Sequence, residues 1–177
     1  MRSSSGWSAT AEPMDEDRGL WLRAMMGRFA TGVTVVAARQ GPLLAGMTAN
    51  AIASISIDPP LLMASINRSS ETHAAIVGSH SFAVSVLSAE QQPLAECFAL
   101  PNSADKLQRF CDASWHEAET GSPILDGALA YFDCRLTASL PAGTHTVFIG
   151  EIVASGHEER DDPLLWYASR YRQLAPS

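Results

Sequence analysis

Cysteine is scarce in this sequence: Cys97, Cys111 and Cys134 are the only three in 177 residues. An odd count without CxxC spacing excludes a disulfide framework and a zinc site, and the three read as small buried hydrophobes. Basic residues are also few. Lys and Arg number 12 against 19 Asp and Glu, a formal net charge of -7. That balance excludes wholesale binding to nucleic acid, which needs a basic footprint, but leaves room for a local pocket for one small anion. No apolar run approaches the roughly 18 residues of a membrane span, so no membrane partner is expected. The opening MRSSSGWSATAEPMDED has no apolar stretch of the kind a secretory signal needs, so the expectation is a soluble, cytoplasmic protein. GxSxG, HExxH, GxGxxG and GxxxxGK are all missing. His73, His80, His116, His145 and His157 lack metal-ligand spacing, so no metal is expected, and no carboxylate pair stands out for acid–base work. An enzyme with this inventory leaves the hard chemistry to a cofactor.

What is present is core material. Hydrophobic residues make up 46% and charged residues 18% of the chain, enough for one packed domain. Residues 1–14 read as a tail with Trp7 as its exception, 15–172 as a single domain, and 173–177 as a second tail. Leu22, Met25, Met26 and Phe29 recur at helical spacing behind Asp15, Glu16 and Asp17, which favour a helix start. Strands are expected over 33–38, 43–49, 52–57, 61–66, 82–87, 128–139, 146–154 and 163–167. Gly41-Pro42 and 140–143 read as turns, and Asp58-Pro59-Pro60 as a stop. Short helices are expected over 72–77, 106–110 and from Ser88 to Phe98, where Ser88 and Gln91 have capping-box spacing. Near Cys134, alternation puts Phe132 and Leu136 on one face and Asp133, Arg135 and Thr137 on the other. Many strands at hairpin spacing, few helices and no strict alternation of the two predict a mainly β fold, an antiparallel sheet closed into a barrel with peripheral helices.

Three stretches are odd for plain structure. Gly46-Met47-Thr48-Ala49-Asn50-Ala51 sets small residues and an amide at a strand end, where a flat ligand could approach the backbone and pair with a donor–acceptor edge. On pattern alone a glycine bulge and an Asn turn explain it better. Ser65-Ile66-Asn67-Arg68-Ser69-Ser70-Glu71-Thr72 places one cation and several hydroxyls where a strand becomes a helix, a setting for phosphate or for a simple N-cap. Gly143-Thr144-His145-Thr146 puts a histidine at a turn-to-strand junction, either facing a pocket or merely on the surface.

Taken in order, RFATGVTVV (28–36), GMTANA (46–51), SISIDPPL (54–61), FAVSVL (82–87), Phe98, GALAYFDC (127–134), HTVFIGE (145–151) and PLLWY (163–167) with Arg170-Tyr171 resemble the small flavin reductases of two-component monooxygenases. The likeness is greatest to the reductase partners of styrene and hydroxyphenylacetate monooxygenases and runs from about Arg18 to Tyr171. Each motif is weak alone; their order and spacing are specific.

The resemblance implies an FMN-binding split β-barrel that works as a homodimer. It implies hydride transfer from NADH or NADPH to FMN or FAD, and release of reduced flavin to a separate monooxygenase. Leu44, Ala45, Gly46, Met47, Thr48, Asn50 and Ala51 would lie along the isoalloxazine. Ser65, Ile66, Asn67, Arg68, Ser69, Ser70 and Thr72 would surround the ribityl chain and phosphate, with Phe98 and Ala99 as further neighbours. Gly143, Thr144, His145, Thr146 and Tyr171 carry over as the nicotinamide side, with His145 as the catalytic candidate. The family usually has Asp where Thr144 stands, and often Ser where Ala51 stands. The implied mechanism is enforced contact between nicotinamide and flavin, with backbone N–H groups near Thr48 to Ala51 stabilising developing negative charge. The alternative is a flavin-binding carrier or sensor without reductase turnover, which the Thr144 departure keeps open. An oxidase of the pyridoxamine-phosphate type would call for more cations than Arg68, and a purely structural barrel is opposed by the motif order. Nothing in the residues chooses FMN over FAD, and no basic cluster marks a 2′-phosphate.

Overall fold

A computed structural model describes residues 18–101 and 104–175. The N-terminal tail with Trp7, and the acidic start at Asp15, Glu16 and Asp17, lie outside the described residues. The elements are α1 (Arg18–Met26), β1 (Thr31–Gly32), β2 (Thr34–Gln40), β3 (Leu43–Ala49), β4 (Ile52–Ile57), β5 (Pro60–Asn67), α2 (Glu71–Ser79), β6 (Ser81–Val86), α3 (Gln92–Ala99) and α4 (Ala104–Arg109). They continue with β7 (Trp115–His116), β8 (Ile124–Leu125), β9 (Ala130–Ala142), β10 (His145–His157), β11 (Leu165–Tyr167) and β12 (Arg170–Arg172).

Seven strands form one sheet in the order β3-β2-β6-β9-β10-β5-β4, every neighbouring pair antiparallel. Its two edge strands, β3 and β4, are consecutive in sequence. Asn50 and Ala51 alone join them, and two residues span only a few ångströms. The sheet therefore curls until its edges meet there, and the barrel is split at that join. A small sheet β1-β11-β12 lies beside the split, because Val33 N donates to Leu164 O at 3.0 Å.

The period of β2 shows why the sheet is covered on both faces. Val36 and Ala38 enter one apolar cluster with Ile66, Phe82, Phe148 and Ile76 of α2. Val35 and Ala37 enter another with Leu87, Phe110 and Phe98 of α3. Successive residues point to opposite faces, so a run of Val and Ala here needs a helix on each side.

Several expectations are corrected. The turn expected over 140–143 sits one step later, because Pro141 pairs with Thr146 and Ala142 with His145. Pro141 is tolerated because β6 reaches only residues 130–135 of β9, so no second strand needs its missing N–H. Gly143, at φ +59°, then makes a two-residue hairpin turn with Thr144. Pro60 opens β5 rather than belonging to a stop. None of α1 is buried: Leu22, Met25, Met26 and Phe29 all point out of the single chain. Asp133 is fully buried rather than on a polar face. It accepts from Thr120 N at 2.8 Å and from the Thr120 hydroxyl, which ties the preceding loop to the sheet.

The cysteines depart furthest. Cys97 and Cys111 form a disulfide, Cα atoms 6.1 Å apart and 14 residues apart in sequence. They meet because α3 and the turn after α4 fold back on one another, which sequence spacing does not reveal. Cys134 alone is a free cysteine among the described residues, and it is buried as expected. Burial, and then the neighbouring Asp133, push its thiol up to about 12.

Candidate functional site

The split in the barrel is also the main cleft. One cavity of about 280 Å³ is lined by Val33, Thr48, Ala49, Asn50, Ala99, Trp166 and Tyr171. A second, of about 520 Å³, shares Asn50 and Trp166 and adds Thr31, Ala51, Ile52, Met63, Arg23 and Phe29 among others. The two adjoin at Asn50 and Trp166, which line both, and together they are in the size range of small-molecule sites.

Local bonds fix its floor. The Thr34 hydroxyl donates to Ala49 O at 2.6 Å. The Thr48 hydroxyl donates to Ala95 O of α3, also at 2.6 Å, so only its lone pairs remain for a ligand. Ala51 O accepts from Ser65 N at 3.0 Å. Asn50 is left exposed at the join. On the far wall Trp166 is registered against Thr31 and meets Tyr171 edge to face. Burial, and then Glu96, hold the Tyr171 hydroxyl above its ordinary value. Thr31 Oγ1 is buried with no hydrogen-bond partner among the described residues, and Thr31 lines the second cavity.

The second constellation is the turn from β5 into α2. Asn67 Oδ1 accepts from Ser69 N at 2.9 Å and from Ser69 Oγ at 2.8 Å. Ser70 is the N-cap of α2, its Oγ accepting from His73 N at 3.1 Å. Helix geometry leaves the first N–H groups, those of Glu71 and Thr72, without intrahelical acceptors. Arg68 is exposed, and its N donates to Thr144 O at 3.0 Å. That bond and the His145–Asn67 register bring the histidine turn beside the β5–α2 turn. His145 Nδ1 lies 2.9 Å from Thr144 Oγ1.

Thr48, Asn50, Ala51, Ala99 and Tyr171 are therefore brought together at the groove. Asn67, Arg68, Ser69, Ser70 and Thr144–His145 gather at the neighbouring turn. His145 and Tyr171 do not share a cavity in the single chain: His145 lines neither half of the groove. Ala45, Ile66 and Phe98 are core residues. Met47 packs on the core, and Leu44 on the α3 side. Gly46 faces Phe98 and Phe110, where a Cβ would come within 2.8 Å of the Phe98 ring. Thr72 is buried, and the Thr146 hydroxyl is engaged with His73 Nε2 at 2.9 Å. Sequence reasoning missed Thr31, Val33, Met63 and Trp166. Thr31 and Val33 lie in RFATGVTVV and Trp166 in PLLWY, so the motifs carried a usable signal for these three, whereas Met63 had none.

The groove fits a flat, partly polar ring. It has an indole wall at Trp166, apolar contacts at Val33 and Ala49, an amide edge at Asn50, and an orphaned hydroxyl at Thr31.

A model of the flavin reductase like domain matches residues 26–175. The chain is 41% identical over 156 residues to the FMN reductase (NADH) SmoA of Agrobacterium fabrum, covering 87% of this chain and 85% of that one. The NADH:FAD oxidoreductase SgcE6 of Streptomyces globisporus, solved with NAD and FAD fragments, is similar at 35% identity with TM-score 0.84, over 94% of this chain and 98% of that one. The styrene monooxygenase flavin reductase of Pseudomonas putida S12 is similar at 32% identity with TM-score 0.78, over 88% and 98%.

Proposed function

Because the chain belongs to the flavin reductase-like domain family, we propose that it is an NADH-dependent flavin oxidoreductase that supplies free reduced FMN or FAD to a partner monooxygenase. The observation that carries the reading is the groove at Asn50 and Trp166, open at the split of the barrel. Reduced nicotinamide supplies the hydride and flavin is its two-electron acceptor; both are substrates.

The chain binds and orients. Thr48, Asn50 and Ala51 present an acceptor, an amide edge and backbone to the ring, and Trp166 and Val33 give it an apolar wall. The orphaned Thr31 hydroxyl gains a partner when a polar ring edge enters. Arg68, Ser69, Ser70 and the start of α2 hold the phosphate through charge and free N–H groups. His145, steadied by Thr144, and Tyr171 serve the nicotinamide. Juxtaposition, not a nucleophile, is what these residues provide. Substrate flavin must leave after reduction, and an open groove suits that.

The outward apolar residues of α1, with Phe29 at 71% and Ile57 at 85% exposure, form the surface of a homodimer. No helix among the described residues is long and apolar enough to cross a membrane, and the cytoplasm is the proposed compartment. The relatives named above are reductases and lend no support to the carrier or sensor reading.

The test is NADH consumption by the purified protein with FMN or FAD supplied and omitted. Flavin-dependent consumption is expected. Flavin binding without consumption would restore the carrier reading.

A further inference from the structure

Cys97 sits in α3 and Cys111 in the turn after α4, and their disulfide joins Cα atoms 6.1 Å apart. In the cytoplasm, the compartment proposed above, thiols are kept reduced, and the disulfides that do form there are usually transient and redox-sensing or catalytic. Both cysteines are only half-buried, so an attacking thiolate has access to the bridge. Cys134 differs: it is fully buried, the setting of an inert thiol.

The bridge closes on a turn that needs holding. Phe110, Cys111 and Asp112 have φ of +49°, +56° and +50°, a left-handed run that non-glycine residues avoid. The disulfide restrains it at its centre, the Arg109–Asp112 ion pair at its end, and Phe110 packs on Phe98 with ring centroids 4.9 Å apart. The other side of the bridge is a helix that floors the first cavity. Ala95 O, two residues before Cys97, accepts from the Thr48 hydroxyl at 2.6 Å. Thr48 lines that cavity, and so does Ala99, two residues after Cys97. Phe98 and Phe110 both face Gly46 of β3, the strand that carries Thr48.

We propose that Cys97 and Cys111 are a site of reversible thiol–disulfide modification that sets flavin affinity through α3. The bridged form keeps the first cavity preorganised and binds flavin more tightly. The dithiol form lets the turn leave its left-handed conformation, loosens Phe110 from Phe98, and weakens the hold of α3 on Thr48. The inference rests on the reading of that cavity as a site for the flavin ring. Reduction takes two electrons from a dithiol. Its first thiolate attacks one Sγ and expels the other. Its second thiolate then displaces the attacked Sγ, leaving two cysteine thiols and a cyclic disulfide. Hydrogen peroxide reverses the change. One cysteine thiolate attacks a peroxide oxygen and becomes a sulfenic acid, and the second cysteine displaces the sulfenic hydroxyl as water. Two thiols and one peroxide thus give one disulfide and two waters. Free reduced flavin makes that peroxide when it passes two electrons to dioxygen instead of reaching an oxygenase.

The experiment compares oxidised wild type, wild type reduced with dithiothreitol and desalted without air, and Cys97→Ser. Each is titrated calorimetrically with FMN and with riboflavin, and alkylation of the denatured protein counts its thiols. One thiol is expected in oxidised wild type and three after reduction. Reduction should weaken FMN and riboflavin alike, about two- to tenfold, the size of one hydrogen bond such as that of Thr48 to Ala95. Cys97→Ser should bind as reduced wild type does, and dithiothreitol should not change it. One equivalent of hydrogen peroxide should return reduced wild type to one thiol and to the oxidised affinity. Equal flavin affinity at one thiol and at three overturns the proposal. So does an affinity not regained when the count returns to one, a count that stays at three after peroxide, or a response of Cys97→Ser to dithiothreitol. Reduced wild type that unfolds by circular dichroism makes the bridge structural and overturns the switch. Should Cys97→Ser itself fail to fold, oxidised and reduced wild type decide. Flavin-dependent NADH consumption in both redox forms keeps the flavin reductase reading through any of these failures. Wild type that binds no flavin in either form would remove that reading itself.

Discussion

Trp166 meets Tyr171 edge to face, with ring centroids 4.9 Å apart and planes at 71°. The pair joins β11 to β12 across one register position and forms a wall of the first cavity. Trp166 also reaches the second cavity. One aromatic contact thus sets the shape of the groove on both sides of Asn50, and Tyr171 steadies a ring that two ligands would share.

Tyr171→Ala should therefore loosen Trp166 as well as remove the proposed nicotinamide contact. An aromatic pair contributes about 0.5–1.5 kcal/mol beyond its burial, so the KM for NADH should rise about two- to tenfold. Tyr171→Phe keeps the ring pair and should stay near wild type. Steady-state kinetics on both variants checks this, and equal KM values for wild type and Tyr171→Ala would remove Tyr171 from the site.

Arg68 and His145 lie on adjacent turns but are proposed to serve different ligands. Arg68→Ala should weaken flavin binding by about 1–3 kcal/mol if its guanidinium makes a charge-assisted contact. His145→Ala should raise the KM for NADH more than that for flavin. Flavin titration of the first and kinetics of the second separate the roles. The reverse ordering for His145 would move it to the flavin side.

The strands were legible because their pattern is local. Alternation and turn residues placed β3 and β4 within the sequence as they stand in the fold. The turn from β5 into α2 was legible for the same reason, since Asn67, Ser69 and Ser70 bond within a few residues of each other. What could not be read was closure in three dimensions. Thr31 and Trp166 are brought together only by the small sheet, and Cys97 meets Cys111 only because α3 and the turn after α4 fold back. Asp133 alternates with apolar neighbours as a surface residue would, yet a distant loop residue, Thr120, caps it inside. Gly46 looked like room for a ligand, whereas its missing Cβ makes room for Phe98.

That last contact carries a stability prediction. A Cβ at Gly46 would come to 2.8 Å from the Phe98 ring and 3.1 Å from the Phe110 ring, and both rings are buried. Gly46→Ala should destabilise the fold by about 1–3 kcal/mol, the usual range for overpacking a core. Denaturant unfolding measures it. A variant as stable as wild type would mean the two rings have room to move aside.

His73 gives the pH dependence. Its Nε2 lies 2.9 Å from Thr146 Oγ1, and its ring packs against Phe148 at 5.1 Å. Burial, and then the Arg68 charge, hold its pKa below the ordinary 6.5. As pH falls through 6.5, the unfolded chain takes up the proton first, because the folded site resists it. Stability is therefore whole above 6.5 and is lost as pH falls towards the depressed folded value. His73→Gln can keep a hydrogen bond to Thr146 but does not titrate, so its melting temperature should fall less between pH 7.5 and 5.5. Melting curves over that interval, where most carboxylates stay ionised, isolate the effect. Parallel curves for wild type and His73→Gln would show that the histidine is indifferent to its charge in the fold.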